Sequence, residues 1–224
     1  MTTPGPDHFF SCPHCKAVLR RWTIGSGNTF GSTLWSDGYL DAPMLPRAVQ
    51  ATRCPSCAKV FFVEDADNLG EHWTYGSFRD DSDDPLLASY QDAPAVEDAD
   101  VEALSELIPQ TEGRDRLRYL CMQIWHIYNQ AYRNPKAKGQ VQRPAGFNGN
   151  LERLLGLLDD DRGQDQIMKA EALRELGRHA EALAALQDVD AELGWVADQI
   201  RSMAQAGISV VGVLLRPGEE RRDS

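Results

Sequence analysis

"SCPHCKAVLRRW" occupies residues 11–22, and "RCPSCAKVFFVED" occupies residues 53–65. Each stretch contains two cysteines separated by two residues, so that both thiolates can lie on one tight turn and bind the same metal ion. Backbone amides of such a turn point at the sulfurs and stabilise their charge. Two turns of this kind supply four sulfur ligands, and the sequence therefore predicts a structural Zn²⁺ site. Its predicted ligands are Cys12, Cys15, Cys54 and Cys57.

A redox-active pair and structural disulfides are the alternatives for these four cysteines. A redox Cys-x-x-Cys motif is expected next to a βαβ pattern, which this region lacks, and disulfides are rare in the cytoplasm, where we expect this chain. Four thiolates would leave no open position on the metal, so we expect no hydrolysis at the zinc. We expect His14 to face solvent within its turn, and Cys121, on an apolar helical stripe, to be a buried thiol.

A strand-like run follows each cysteine turn, and the two runs predict a small zinc-ribbon β domain over residues 1–79. The interval between the turns is long for a zinc ribbon, and it contains "GSGNTFGSTLWSDG" at residues 25–38. Turn residues on both sides of a short apolar run predict an additional hairpin on the ribbon sheet. An extended return, stiffened by Pro43 and Pro46, would complete this insert.

Two interpretations of the insert remain open. In the first, Asn28 and Asp37 hydrogen-bond turn backbones, while Phe30 and Trp35 pack over the small core of the ribbon. In the second, aromatic and basic side chains form a face that binds a protein partner or single-stranded nucleic acid. The candidate partner-binding residues are Arg20, Arg21, Trp22, Phe30, Trp35 and Asp37.

The net charge of −11 originates in one segment of the chain. Residues 80–113 contain eleven acidic residues and no basic one, whereas acidic and basic residues balance in residues 1–79 and in residues 114–224. A neutral N-terminal region argues against strong nucleic-acid binding. Repulsion between neighbouring aspartates, together with two prolines, predicts an acidic linker over residues 80–97.

Apolar residues recur with a helical period in residues 98–207, which predicts consecutive short helices packed as antiparallel pairs. The β-branched run that follows predicts a C-terminal strand over residues 208–216, with a flexible tail over residues 217–224. A lone exposed strand would be prone to aggregation. We therefore expect it to pair with the N-terminal domain or, as the alternative, with a second copy of the chain in a homodimer.

Residues 169–189, "KAEALRELGRHAEALAALQDV", resemble a tetratricopeptide-type helical hairpin, with Leu176 and Gly177 ending its first helix and Ala182 as the small packing residue of its second. Residues 12–66 resemble a group of uncharacterised bacterial zinc-ribbon proteins, through the two cysteine turns and "SGNTFGSTLWSDGYLDAPMLP" between them. In those proteins the ribbon is joined to a tetratricopeptide-like helical region. The resemblance implies the same order in this chain, and hence an α+β fold class, but it brings no established activity.

No apolar run is long enough to span a membrane, and the N-terminus has neither the basic nor the apolar region of a secretory signal, so we expect a cytoplasmic protein. The five histidines lie in no recognisable catalytic motif, and we expect no enzymatic activity. The sequence predicts a non-catalytic zinc-binding adaptor for a protein or peptide partner. The alternative is a ribbon protein that binds single-stranded DNA or RNA through the aromatic–basic face.

Overall fold

The protein belongs to the α+β class, as its sequence predicts. An N-terminal β region holds the four cysteines, and a helical region and a C-terminal strand follow it. Within the residues that the structure describes, no helix combines the length and the apolar character that spanning a membrane requires. The residues described by the computed structural model are 2–73, 84–133, 142–159 and 163–218.

Short strands dominate the first third of the chain, and helices dominate the rest. The strands are β1 (Thr3–Pro4), β2 (Asp7–Ser11), β3 (Val18–Arg21), β4 (Ile24–Ser26), β5 (Thr33–Trp35), β6 (Leu40–Asp41), β7 (Ala51–Arg53), β8 (Val60–Phe62), β9 (Asp67–His72) and β10 (Val213–Leu214). The helices are α1 (Pro85–Ala88), α2 (Val101–Leu107), α3 (Arg114–Arg133), α4 (Phe147–Leu155), α5 (Gly163–Glu175), α6 (His179–Ala185) and α7 (Gly194–Gln205).

The chain divides into two units, and neither of them is continuous in sequence. Unit 1 consists of residues 1–32 and 42–110, and unit 2 consists of residues 33–41 and 111–224. The middle of the insert therefore belongs to the same unit as most of the helices, although both cysteine turns that flank it belong to unit 1. A division of the sequence into consecutive domains does not anticipate this arrangement.

Within its described residues, unit 1 contains three separate groups of paired strands. The largest is a sheet with the order β3–β2–β9, whose strands are antiparallel and in which Phe10 lies opposite Leu19. β1 pairs with β4, and β7 pairs with β8 as a hairpin. The two cysteine turns connect β2 to β3 and β7 to β8, so each turn closes one antiparallel pair.

The core of unit 1 is small, and two of the cysteines belong to it. Cys12 and Cys54 are buried beside the rings of Phe10 and Phe61, which meet edge-on with their centroids 6.5 Å apart. A core of this size buries little apolar surface, so additional cross-links contribute a large share of the stability of such a unit. The other buried members of the cluster are Leu19, Val49, Val63 and Val96.

The segment predicted as an acidic linker, residues 80–97, is described from residue 84 onward. The N–H of Arg20 donates to the carbonyl of Pro94 at 2.9 Å, and the N–H of Val96 donates to the carbonyl of Arg20 at 2.8 Å. These bonds attach the segment to the edge of β3, and the side chain of Val96 enters the core. Residues 94–96 are therefore attached to unit 1, because their backbone pairs with β3 and Val96 packs in the core, although most side chains of residues 84–97 are exposed.

Helix α2 also belongs to unit 1, although the predicted helical domain begins at residue 98 and includes it. Its N-cap is Asp100, whose Oδ1 accepts the N–H of Ala103 at 2.8 Å. Leu104 and Leu107 are buried on the side on which α2 packs against β7 and β8. The apolar period predicts this helix correctly, but a period does not indicate which core the apolar face covers.

Unit 2 combines α3 to α7 with a three-stranded antiparallel sheet of order β10–β5–β6. α3 packs against α4, and α5 packs against α6 and α7. Gly177 follows α5 with a left-handed φ of +79°, and Ala182 is completely buried in a cluster with Leu173 of α5. A helical hairpin is thus present over residues 169–189, and its assignment as a tetratricopeptide repeat remains a prediction.

The C-terminal strand is shorter than the predicted range of residues 208–216, and its partner is the insert. Val213 lies opposite Trp35, and Leu214 lies opposite Leu34. The hairpin β5–β6 therefore pairs with β10 in unit 2 and does not extend the ribbon sheet as predicted. The reason is apolar packing, since the side chains of Leu34 and Leu214 belong to one core cluster of unit 2.

The structure does not test two predictions about the C-terminal region. The homodimer through the C-terminal strand remains a prediction, because the structure contains one chain. Of the predicted tail at residues 217–224, residues 219–224 lie outside the described part of the chain.

Candidate functional site

The two cysteine turns have the same backbone hydrogen bonds. The N–H of Lys16 donates to the carbonyl of Cys12 at 2.9 Å, and the N–H of Ala58 donates to the carbonyl of Cys54 at 2.8 Å. Lys16 and Ala58 have φ angles of 61° and 59°, the left-handed conformation for which glycine is usually chosen. The turns are therefore two copies of one local structure, and each places its two thiols on the same side.

The four thiols form one compact cluster. All four Sγ atoms lie within 4.8 Å of one another. The Sγ atoms of Cys12 and Cys57 are 3.8 Å apart, and those of Cys15 and Cys54 are 3.7 Å apart. Zn–S bonds of about 2.3 Å in a tetrahedron require sulfurs separated by about 3.8 Å. The cluster is thus compatible with one zinc ion bound by four thiolates, as the sequence predicts.

The environment of the cluster is uneven. Cys12 and Cys54 are buried, Cys57 is half-buried and Cys15 is exposed. His14 is exposed and does not belong to the cluster. Among the described residues, no other group of three or more Cys, His, Asp or Glu side chains has the spacing that a metal ion needs.

The thiols of the two buried cysteines differ in acidity. Burial raises the pKa of Cys12 to about 12. Burial acts in the same direction on Cys54, but the backbone N–H groups of Cys57 and Ser56, together with neighbouring thiols, outweigh it and bring the pKa of Cys54 to about 7. A metal ion has to displace the remaining protons, so its affinity for this cluster increases with pH.

Arg20 and Arg21, two of the predicted partner-binding residues, are engaged inside unit 1. Arg20 donates to a carboxylate oxygen of the buried Asp7 at 3.2 Å. Arg21 donates to the carbonyl of Val49 at 3.1 Å, and its second nitrogen lies 3.2 Å from Nδ1 of His8. Their guanidinium groups thus hold neighbouring segments of the unit together.

Trp22 and Phe30 remain accessible in unit 1. Trp22 is 44% exposed, and Phe30, at the turn of the insert, is 78% exposed. The interpretation in which Phe30 packs over the ribbon core is therefore wrong, because its ring lies in solvent. The predicted role of Asn28 is confirmed, since its side-chain oxygen accepts the N–H of Phe30 at 2.9 Å.

Trp35 and Asp37, the other two predicted partner-binding residues, belong to unit 2. Asp37 is completely buried, and its Oδ1 accepts the N–H of Tyr39 at 3.1 Å, which is the predicted turn hydrogen bond. Its Oδ2 accepts a hydrogen bond from Asn129 at 2.9 Å and forms an ion pair with Arg133. Asp37 is therefore a buried anchor of the hairpin and not a contact for a partner.

Asp37 belongs to a larger network of buried polar groups, in which Glu175 is the central member. Glu175 is completely buried, and its two oxygens accept hydrogen bonds from Trp125 Nε1 and Asn129 Nδ2, each at 3.1 Å. One residue earlier in the same helix, Arg174 is paired with Glu171, whose Oε2 accepts from Nε at 2.8 Å. The network links α3, α5 and the β5–β6 hairpin within unit 2.

The charges of this network do not balance if every carboxyl group is ionised. Among the described residues, two guanidinium groups, those of Arg133 and Arg174, interact electrostatically with the three carboxyl groups of Asp37, Glu171 and Glu175. Burial, followed by repulsion from Glu171 and Asp37, raises the pKa of Glu175 well above its ordinary value. A proton on Glu175 makes the network neutral.

Sequence reasoning missed the network members on α5. The sequence carries one sign of this network. The apolar residues of α5, Ile167, Ala170, Ala172 and Leu173, do not lie on one face of the helix, and α5 is accordingly buried on all sides. A helix without a solvent face has to pair every charge that it carries. The fifth cysteine, Cys121, is buried on α3, as predicted.

No protein-family model, curated protein or solved structure matches this chain. The resemblances to zinc-ribbon and tetratricopeptide proteins therefore receive no support from comparison and remain predictions. The four-cysteine cluster is supported by its own geometry.

Proposed function

We propose that the protein is a non-catalytic adaptor whose unit 1 is held together by a structural Zn²⁺ ion. One observation carries the metal part of this proposal, namely the compact cluster of the Sγ atoms of Cys12, Cys15, Cys54 and Cys57, which all lie within 4.8 Å of one another. Four thiolates favour zinc among the common divalent ions, and they leave no coordination position open for a substrate or a water molecule.

The position of the cluster in the core supports a structural role. Cys12 closes the turn between β2 and β3, and Cys54 closes the turn between β7 and β8. An ion bound to both turns would join the main sheet of unit 1 to its separate hairpin. Because the apolar cluster around these cysteines is small, the bonds to the metal would supply stability that packing does not provide.

Exposed apolar side chains at the insert support the adaptor part. The N–H of Asn28 donates to the carbonyl of Met44 at 3.2 Å, which brings the turn that carries Phe30 next to the turn at residues 43–45. Phe30, Met44 and the following Leu45 are 78%, 40% and 37% exposed. Large apolar and aromatic side chains are typical of protein interfaces, where they fill pockets of the partner.

Nucleic-acid binding finds less support in the contacts of unit 1. That alternative requires Arg20 and Arg21 to contact phosphate groups, yet both donate to groups within the unit. Moving Arg20 to a phosphate group would break its hydrogen bond with the buried carboxylate of Asp7. The adaptor is therefore the function that we propose.

Elemental analysis tests the metal. Protein purified without added metal should contain one zinc ion per chain, and replacement by cobalt(II) should give the absorption spectrum of a tetrahedral tetrathiolate complex. Cys54→Ser should lose the zinc, whereas Cys121→Ser, which removes a buried thiol outside the cluster, should retain it. Wild-type protein without zinc, or equal zinc in both variants, would contradict the proposal.

Quantitative affinity capture tests the adaptor. Tagged protein should retain a specific partner, and Phe30→Ser should reduce its recovery by about tenfold, as expected for the loss of an aromatic anchor. Leu86→Ser is the matched control, because Leu86 is 59% exposed on α1 of the same unit. The adaptor proposal fails if no partner is enriched over the tag alone, or if both variants retain it equally.

A further inference from the structure

The segment that follows α7 is held mainly through its backbone by side chains of unit 2. Arg174 donates to the carbonyl of Val210 at 3.0 Å and also to the carbonyl of Ile208. Arg143 donates to the carbonyl of Ser209, between these two residues. Three consecutive carbonyl groups therefore accept hydrogen bonds from guanidinium groups, which fixes the backbone on both sides of the bend at Val210 irrespective of its side chains.

Two further residues hold both backbone groups of a single residue in this segment. The carbonyl of Gly212 accepts the N–H of Ser36 at 2.8 Å, and the N–H of Gly212 donates to Ser36 Oγ at 2.9 Å. Gln199 does the same for Leu215, since its Nε2 donates to the carbonyl and its Oε1 accepts the N–H, each at 2.9 Å. Paired side-chain contacts of this kind are how proteins recognise extended peptides without reading their sequence.

Two apolar side chains of the segment are buried, and they define two anchors. Val211 and Leu214 are 6% and 5% exposed, whereas Ile208, Val210 and Val213 are between 41% and 42% exposed. Leu214 enters the core cluster that α5 and α7 form. Apolar recognition therefore depends on two positions that are three residues apart.

We propose that unit 2 carries a peptide-binding groove, and that residues 208–215 occupy this groove as a tethered ligand. The groove is lined by α5, α7 and the β5–β6 hairpin, and its ligand has two aliphatic anchors spaced three residues apart. This inference goes beyond the adaptor function proposed above, because it adds a second binding site, in unit 2, whose partner is a segment of another protein with that spacing.

The residue between the anchors adds a requirement for size. A Cβ atom added to Gly212 would approach Sδ of Met203 to 2.7 Å, so a side chain there would require Met203 to move. The preferred partner sequence is therefore an aliphatic residue, a small residue, any residue and a leucine.

The short connection between α7 and the segment, called the tether, regulates access of a partner peptide to the groove. α7 ends at Gln205, and the exposed Ala206 and Gly207 connect it to the segment, with Gly207 in the left-handed conformation at φ +68°. A short tether keeps the effective concentration of the segment in the millimolar range. A partner peptide therefore has to compete with the segment, which keeps the groove closed to weak ligands.

Cutting the tether tests this inference on the full chain. A protease site inserted after Gly207 yields, after cleavage, a nicked protein in which the segment is bound without a covalent link. We expect the nicked protein to keep its helical circular dichroism, and a fluorescent peptide of residues 207–217 to exchange into it, as measured by anisotropy. Leu214→Asp in the peptide should weaken binding by about 100-fold, because a buried leucine is lost and a charge is buried.

Val213→Asp is the matched control peptide, since Val213 is 41% exposed, and its affinity should stay within about threefold of the original, as expected for a surface position. Unfolding on cleavage, or a segment that never exchanges, would show that residues 208–215 are an integral part of the core and would overturn the groove. Exchange only between copies of the nicked chain, seen as dimers by light scattering, would overturn the foreign partner. Zinc content and Phe30-dependent capture are measured separately, so the adaptor can survive the loss of the groove.

Discussion

Unit 1 and unit 2 stabilise irregular chain segments by different chemistry. In unit 1, four thiols from two turns meet at a point where they can share one metal ion. In unit 2, a buried network of carboxylates and guanidinium groups holds the β5–β6 hairpin, and Arg174 also holds the C-terminal segment. Metal ligands have to be of fixed type and spacing, whereas buried charges need only a partner of opposite sign. The first arrangement is therefore visible in the sequence, and the second is not.

Removal of the metal from unit 1 should have the largest effect. A strong chelator at neutral pH, or Cys54→Ser, should abolish the protection of β2, β3, β7 and β8 against hydrogen exchange. The physical reason is that structural zinc contributes about 10–16 kcal/mol to small domains of this kind, more than their total stability. Hydrogen exchange followed by mass spectrometry measures each segment separately.

Helix α5 provides the internal control for that experiment. Its core contacts lie in unit 2, so its amides should remain protected after the metal is removed from unit 1. Simultaneous loss of protection in α5 would show that the two units unfold as one cooperative system, and the distinction between their stabilising chemistries would then lose its meaning.

Breaking the buried ion pair of unit 2 should have the second largest effect. Arg174→Met leaves the carboxylate of Glu171 buried without its partner, and it removes the hydrogen bonds to the carbonyls of Ile208 and Val210. We expect the free energy of unfolding of unit 2 to fall by about 3–5 kcal/mol. Urea unfolding followed by helical circular dichroism measures this change.

The double variant Glu171→Leu with Arg174→Met separates the two contributions. It removes both charges together, and such replacements of buried ion pairs are often neutral or stabilising. Recovery of most of the lost stability would show that the uncompensated charge was the main cost. If the double variant is as unstable as Arg174→Met, the hydrogen bonds to the C-terminal segment are the larger contribution.

The metal site was accessible to sequence reasoning because its signal is local and doubled. Cys12 and Cys15 indicate one turn, and Cys54 and Cys57 repeat the same spacing. The period of apolar residues likewise predicts the helices of unit 2, and Cys121 could be placed on a buried face. These inferences use neighbours that are at most four residues apart along the chain.

The role of the insert could not be predicted in the same way. Asp37 contacts Asn129 and Arg133, and Ser36 contacts Gly212, so the partners are separated by more than 90 residues. Nothing in the local pattern "SDG" distinguishes an exposed turn from one that is buried against distant helices. Turn chemistry predicts the conformation at Asp37 correctly, and only the tertiary structure shows what the turn contacts.

The titration of Glu175 should have a smaller effect on the free energy of unfolding, and this effect grows with pH. Because its pKa is raised, the folded protein keeps a proton that the unfolded chain releases above its ordinary pKa of 4.5. The unfolded state then binds fewer protons, and the free energy of unfolding decreases by about 1.4 kcal/mol per pH unit until the pKa of the folded state is reached. The variant Glu175→Gln lacks this titrating group, so the decrease of its free energy of unfolding with pH should be smaller than that of the wild type by about 1.4 kcal/mol per pH unit.

Glu181→Gln is the matched control for the pH experiment. Glu181 is exposed on α6, and its hydrogen bond with Arg178 lowers its pKa, so it is ionised in both states throughout the range above pH 5. Urea unfolding at several values between pH 5 and 9 should give parallel curves for this variant and the wild type. A wild-type slope equal to that of Glu175→Gln would show that Glu175 is ionised in the folded protein.

Relief of backbone strain in a cysteine turn should have the smallest effect. Ala58 has a left-handed φ of 59°, which costs a residue with a Cβ atom about 1–2 kcal/mol. Ala58→Gly removes this cost but increases the entropy of the unfolded chain by about 0.5–1 kcal/mol, so we expect a net stabilisation of about 0.5–1 kcal/mol. If folding of unit 1 is coupled to zinc binding, this change corresponds to an affinity for zinc that is about two- to fivefold higher. Competition with a chelator of known affinity measures the affinity for zinc. Ala17→Gly is the control: Ala17 has no positive φ to relieve, so this substitution should lower the affinity.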